Sequence, residues 1–305
     1  MAKKFAIDVC GLVKKFGNHV AVNGIDLRVE GGTICGFLGP NGSGKTTTLR
    51  LICGLLRADG GGGTCLGYDI RCQSDEIHRS IGYMTQRFSF WEDLSVRENL
   101  IFTANVYAMD NAADRVESML KSLGLNNRGR QLAGGLSGGW KQRLALAAGL
   151  IHEPKILLLD EPTAGVDPRA RREFWETIHS LAAEGITILV STHYMDEAER
   201  CHHIIFMHGG NVIARGSADE ICAATGLKTI EVSKFGELTD GVLAKLGGIS
   251  CAHFGNTLHI SAMDEIEMRM ALDRAFGRGN YAAREIATSL EDAFIHHTRG
   301  MEDGR

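Results

Sequence analysis

The segment Gly39–Thr47, GPNGSGKTT, constrains this chain more than any other stretch, because it satisfies the spacing G-x-x-x-x-G-K-[ST]. The preceding TICGFLG reads as a buried strand ending at Gly39, and a helix is expected from about Gly44. In such a turn, glycines let backbone N–H groups close around phosphate oxygens and the helix start adds positive potential. Gly39, Pro40, Asn41, Gly42, Ser43, Gly44, Lys45, Thr46 and Thr47 are therefore candidate phosphate-binding residues, with Lys45 for the outer phosphates and the Thr46 hydroxyl as a magnesium ligand.

Two later segments give that loop partners. ILLLDEP, Ile156–Pro162, is an apolar strand that delivers Asp160 and Glu161 at its carboxyl end, where open α/β sheets bind ligands. Phosphoryl transfer needs positioning and charge neutralisation, so Asp160 suits magnesium and Glu161 suits orienting or deprotonating the attacking water. LSGGW, Leu136–Trp140, opens the helix before that strand, so Ser137, Gly138 and Gly139 form a second helix-terminus anion site. Only the first corner has a lysine and metal ligands; the second is suited to covering a nucleotide held by another subunit.

At 305 residues the chain has room for two domains of roughly 100–200 residues each. Strand and helix patterns alternate as in βαβ units: a helical region runs from Val96 to about Leu123, with Ser95 and Glu98 spaced as a capping box, then helices near Trp140–Ile151 and Arg169–Ala183 alternate with KILLLD and ITILVST. The pattern weakens after about Gly216, and strand-like pieces at Thr229–Val232, His259–Ser261 and Ala283–Ile286 predict a small α+β appendage. The four glycines at 60–63 read as a flexible turn. A net charge of −4 with interleaved signs offers no nucleic-acid footprint. Eight cysteines without a CxxC pair suggest neither zinc nor a disulfide framework, so a reducing cytosol is expected, and no run approaches the roughly 18 apolar residues of a membrane helix. The start MAKKFAIDVC, interrupted at Asp8, is not expected to direct export or insertion. Lys14 with Lys15, and Arg169, Arg171 and Arg172, read as solvated surface, and Cys201, His202, His203, His296 and His297 fit no metal-ligand spacing.

Taken in order, GPNGSGKTT, the glutamine of YMTQRF, LSGG, ILLLDEP, GVD and STH resemble the ATPase cassette of ABC transporters over residues 5 to about 225. The resemblance implies an α/β fold of the P-loop NTPase class, with a β-strand subdomain, a RecA-like core and a helical subdomain at about 88–150, spanning 1–225, and a C-terminal domain at 226–305. It implies a head-to-tail homodimer enclosing two ATP molecules with Mg2+ between the P-loop of one subunit and the LSGG corner of the other. By position, Phe16 matches the adenine-stacking aromatic, Gln86 the lid-loop glutamine at the metal and the attacking water, Asp167 the subunit-contacting aspartate and His193 the γ-phosphate switch histidine. Trp140 departs from the family pattern, which has glutamine there, and it puts the hydrolysis rate in question. Phe88, Phe90, Trp91 and Leu94 fall near the region that receives a coupling helix in this family; core filling and docking are both open to them.

The tail segment ATSLEDAFIHHTRG resembles the SLEDVF-type ending of ATPases serving ABC-2-type exporters of the daunorubicin-resistance kind. That implies a peripheral protein on the cytoplasmic face of the membrane, driving export of a drug, antibiotic, lipid or similar cargo through a separate permease. The alternative is a soluble ABC ATPase of translation or DNA repair, although such proteins usually carry two cassettes or a coiled-coil insertion. A GTPase reading lacks an N-K-x-D motif.

Overall fold

Alternation of apolar and polar residues makes the first two segments one-faced strands, β1 (Phe5–Phe16) and β2 (His19–Glu30), paired antiparallel with Ile7 opposite Val29 and Phe16 opposite His19. The structure, a computed structural model, describes residues 5–234, 246 and 249–302, so Lys3 and Lys4 of the opening segment lie outside the described residues. The wholly apolar β3 (Ile34–Leu38) follows, buried at every position, and leads through the glycine loop into α1 (Lys45–Ile52). Strands β4 (Gly60–Cys65) and β5 (Tyr68–Asp69) complete a four-stranded sheet in the order β2-β1-β4-β5.

The run of four glycines is thus a paired strand, and the expected flexible turn is corrected. Gly61 has φ 71°, and a Cβ there would sit 2.1 Å from the Gly11 carbonyl oxygen. The absent side chain permits close backbone approach across a bulged ladder, an ordinary use of glycine inside a sheet.

After α2 (Ser74–His78) and β6 (Ile81–Met84) come three helices, α3 (Val96–Val106), α4 (Ala112–Ser122) and α5 (Gly138–Leu150). Ser95 caps α3 as its spacing predicts: its hydroxyl accepts from Glu98 N at 3.2 Å while Glu98 Oε2 accepts from Ser95 N at 2.7 Å. Strand β7 (Ile156–Asp160), α6 (Pro168–Ala183), β8 (Thr187–Thr192), the short α7 (Met195–Ala198), β9 (His203–His208) and β10 (Asn211–Gly216) then build a six-stranded sheet in the order β10-β9-β3-β8-β7-β6. Within it β3, β6, β7, β8 and β9 run parallel, and β3, β7 and β8 are buried at every residue. Continuous apolar sequence is what a sheet covered on both faces requires.

Two compact units divide the chain, Met1–Ala214 and Arg215–Arg305. The second begins beside Gly216, where the alternating strand and helix pattern weakens, and takes in α8 (Ala218–Ala224), which lies before the 225 limit that the family resemblance implies. A capping box between Ser217 and Glu220 starts α8 afresh. Strands β11 (Lys228–Ser233), β12 (Ser250–Phe254), β13 (Thr257–Ala262) and β14 (Ala282–Ile286) form an antiparallel sheet ordered β12-β13-β11-β14, with α9 (Glu265–Phe276) packed on it. Ile230, Val232, Leu258, Ile260, Met268 and Leu272 make its separate core. The final helix, α10 (Leu290–Glu302), begins where Ser289 N and Oγ donate to Asp292 Oδ2 at 3.0 and 2.6 Å, so the SLED segment is a capping box with Leu290 sunk in the interior.

Candidate functional site

Parallel register decides which side chains meet. Leu38 pairs with Thr192, Asp160 with Ser191 and Met84 with Leu159. The loops leaving four neighbouring strands therefore start at one edge of the sheet, bringing the glycine loop, Gln86, Glu161 and His193 together as expected for the carboxyl ends of an open α/β sheet.

In the glycine loop, Gly44 has φ 101° and a Cβ there would meet the Ala21 carbonyl oxygen at 2.4 Å, so only glycine fits the turn into α1. Pro40, Asn41 and Gly42 are exposed, whereas Ser43 is buried and its hydroxyl lacks a hydrogen-bond partner, an orphaned donor that a phosphate oxygen would satisfy. Lys45 is 5% exposed, and its Nζ donates to the Gly39 and Pro40 carbonyls at 2.7 and 3.0 Å. Burial lowers its pKa from the ordinary lysine value, opposed by the charges of Glu161 and Asp160. Thr46 and Thr47 follow in the first turn of α1, and Thr46 Oγ1 donates to Asp160 Oδ1 at 2.8 Å.

Asp160 is buried, and Ser191 Oγ also donates to its Oδ1, at 2.5 Å. Glu161 carries φ 48°, a left-handed conformation that non-glycine residues adopt at a cost of order 1–3 kcal/mol. It is held there by Ser191, whose carbonyl and hydroxyl accept from Glu161 N at 3.1 and 3.0 Å. On its side chain, Gln86 Nε2 donates to Glu161 Oε2 at 2.9 Å, and His193 Nδ1 stands 3.4 Å from Oε1 without hydrogen-bond geometry. Ser191 and Tyr83, whose hydroxyl lies 3.4 Å from Asp160 Oδ2, were missed by the sequence reading. Ser191 stands beside the STH histidine and was open to discovery; nothing local marks Tyr83, which arrives only through the pairing of β6 with β7.

Other sequence candidates fall in two places. Phe16 is half-exposed at the end of β1 with Lys14 Nζ 5.6 Å from its ring, so it does not fill the core. Ser137 is the N-cap of α5 without using its hydroxyl as a cap, followed by Gly138 and Gly139 in the first turn. Asp167 caps α6, its Oδ1 accepting from Arg169 N and Ala170 N at 3.1 and 3.0 Å. The start of α5 packs on this turn: a Cβ on Gly139 would lie 2.9 Å from the Ala170 methyl.

Of the basic residues read as solvated, Lys15, Arg169 and Arg172 are exposed, but Lys14 and Arg171 need correction. Lys14 Nζ is bound to Arg57 O and Asp59 at 2.9 and 3.1 Å. Arg171 is about three-quarters buried, its guanidinium 4.7 Å from the Tyr194 ring and 3.6 Å from both Asp196 and Glu197. Tertiary neighbours brought these charges in, which a short basic run cannot reveal.

A buried lysine in a glycine loop, facing an acid pair at the end of β7, is the equipment of a P-loop nucleotide hydrolase. The family profile described as ABC transporter matches residues 22–164. Daunorubicin resistance ATP-binding protein DrrA3 of Streptomyces coeruleorubidus is 37% identical over 302 residues, 96% of each chain. The Nod factor export ATP-binding protein I of Rhizobium sp. (strain N33) is 36% identical over 308 residues, 98% of this chain and 99% of that one. The probable multidrug ABC transporter ATP-binding protein YbhF of Escherichia coli is 43% identical over 219 residues, but the match spans 71% of this chain and 38% of that longer protein. Among solved structures, cbiO1 from Clostridium perfringens, part of the cbiONQ transporter complex, superposes with TM-score 0.66 at 29% identity over 73% of this chain and 92% of its own. The dimeric cassette MJ0796 bound to ADP and Pi gives TM-score 0.63 at 26% identity, covering 69% of this chain and 98% of that one.

This chain belongs to the ATP-binding subunits of ABC transporters, which bind nucleotide and hydrolyse ATP to power transport, and its relatives are of the exporter type. The translation-or-repair alternative gains no support from these relatives. Among the described residues, no helix is long and apolar enough to cross a membrane.

Proposed function

We propose that two copies of this chain close head to tail around two molecules of Mg2+-ATP and, through that movement, drive export by a separate membrane-embedded permease. The observation carrying this reading is the asymmetry of the two anion corners: one has Lys45, Thr46 and Asp160, and the other, Ser137 to Gly139, has helix-start N–H donors alone. A corner without metal ligands suits a nucleotide held by a second subunit.

Within each site, Lys45 leaves the loop carbonyls to meet the outer phosphates, and Phe16 stacks on the adenine. Thr46 and Asp160 present hard oxygens side by side, and Gln86, whose amide nitrogen is spent on Glu161, keeps its carbonyl oxygen for the metal. That donor set fits Mg2+, which takes few protein ligands beside phosphate and water. The ion supplies charge neutralisation on the terminal phosphate. Glu161 orients the attacking water and takes its proton, and His193 donates to a γ-phosphate oxygen. Asp167 meets the partner subunit.

For the permease, the exposed edge-to-face pair Trp91 and Phe102, ring centroids 4.3 Å apart, supports a docking surface on the helical layer, while Phe88 and Phe90 are half-buried against each other at 5.4 Å. Similarity over nearly the whole chain to daunorubicin-resistance and Nod-factor export subunits favours export of a drug, antibiotic, lipid or similar cargo. The test is to trap tagged Glu161→Gln protein with ATP in solubilised host membranes and identify what copurifies. A closed, ATP-loaded dimer carrying a polytopic permease is the expected result; normal turnover by this variant, or recovery of ribosomal or repair proteins instead, would overturn the reading.

A further inference from the structure

Glu197 is a carboxylate that nothing in the mechanism above employs, yet it is 1% exposed and stands among the catalytic loops. Thr163 Oγ1 donates to its Oε1, and Thr192 Oγ1 donates to its Oε2 at 2.7 Å. Thr163 lies two residues after Glu161, and Thr192 immediately precedes His193. The Thr192 hydroxyl also accepts from Tyr194 N at 3.0 Å, so the peptide unit that follows His193 is tied through Thr192 to the same carboxylate. A buried carboxylate is tolerable only with hydrogen-bond donors and a counter-charge. Arg171 supplies the charge, its Nε 3.6 Å from Glu197 Oε1, and its guanidinium also covers the ring of Tyr194 at 4.7 Å.

We propose that Glu197 is a positioning residue for hydrolysis: its two oxygens, one on Thr163 and one on Thr192, set the spacing between Glu161 and His193. This rests on the roles given to those two residues above. The brace has a chemical requirement that plain packing lacks. Both threonine hydroxyls spend their hydrogen on Glu197, and the Thr192 oxygen is already accepting from Tyr194 N–H. A glutamine of the same shape offers one acceptor oxygen and an NH2 that can only donate, so one threonine must turn its hydroxyl round to accept, both bonds lose their charge-assisted strength, and Arg171 loses the charge it faces. The catalytic pair, with His193 Nδ1 and Glu161 Oε1 3.4 Å apart, then loses its fixed separation.

The experiment is steady-state ATP hydrolysis by the full chain, with KM, kcat and thermal melting measured on each variant. Glu197→Gln and Thr163→Val are expected to lower kcat about 10- to 100-fold, the scale of a misplacement near 1 Å, while KM for ATP stays within about twofold. Melting temperatures should stay within roughly 4 °C of the parent. Thr163→Ser, which keeps the hydroxyl, should restore kcat. Unchanged kcat per folded molecule in Glu197→Gln, a rise in KM with kcat retained, or equal loss in Thr163→Ser and Thr163→Val would each overturn the brace. Glu161→Gln runs alongside as the control. If it hydrolyses ATP normally, the assignment of the base fails; if it is dead while Glu197→Gln is fully active, only the brace fails.

Discussion

Trp140 stands where the family pattern has glutamine, and its surroundings explain how a bulky indole is accommodated. The Arg128 guanidinium carbon lies 4.3 Å from its ring centroid and that of Arg143 lies 5.1 Å away. Arg143 is itself held by Glu173 at 2.6 Å and by the Leu123 carbonyl at 3.2 Å. The indole thus belongs to the scaffold joining α5 to α4 and α6. Two cation–π contacts at about 0.5–1 kcal/mol each would be lost in Trp140→Gln. A fall in melting temperature of about 2–6 °C is expected, with ATP turnover reduced only a few-fold. Unchanged melting together with abolished turnover would mean that the indole acts on the nucleotide instead.

At the scale of the element, the caps are where short sequence signals and observed structure agree best. Ser95 and Glu98 form the box that their spacing predicts, and Ser217 with Glu220 and Ser289 with Asp292 use the same device. Ser95→Ala should destabilise the first unit by about 1 kcal/mol in a denaturant titration. Hydrogen bonds from Ser95 hold the Glu98 carboxyl below its ordinary pKa. A depressed carboxylate stabilises above its unfolded value and loses that contribution as pH falls through the folded one. The stability gap between parent and Glu98→Gln should therefore shrink on acidification; a gap that widens would refute the cap. The glycine run shows the opposite case. No local rule places Gly60–Cys65 in a ladder, because its glycines answer to the approach of β1 and not to their own neighbours.

For the molecule as a whole, two separate cores imply two separable unfolding events. The first unit is built around Ile7, Leu49, Ile156 and Leu189, and the second around Ile230, Leu258, Ile260 and Leu272. Every residue of the proposed nucleotide site lies in the first. ATP at a hundred times its Kd adds about 2.7 kcal/mol to the unit that binds it. Calorimetry with excess ATP should move one transition upward and leave the other in place; a single transition shifting as one would show that the units melt together.

The glycine loop, the acid pair, the LSGG corner and the C-terminal α+β unit follow from residues adjacent in the chain, because phosphate cradles, helix starts and buried strands are specified by local spacing and local polarity. The sequence also carried the resemblance that named the class. What local spacing could not contain is contact between elements far apart in the chain: Ser191 beneath Glu161, Tyr83 against Asp160, Arg171 folded inward onto Glu197, and Glu197 reaching Thr163. The first two were decided when parallel register set Asp160 beside Ser191 and Met84 beside Leu159, and the others when the helices packed on that sheet, since a side chain's partners across a fold depend on pairing and packing and not on sequence distance.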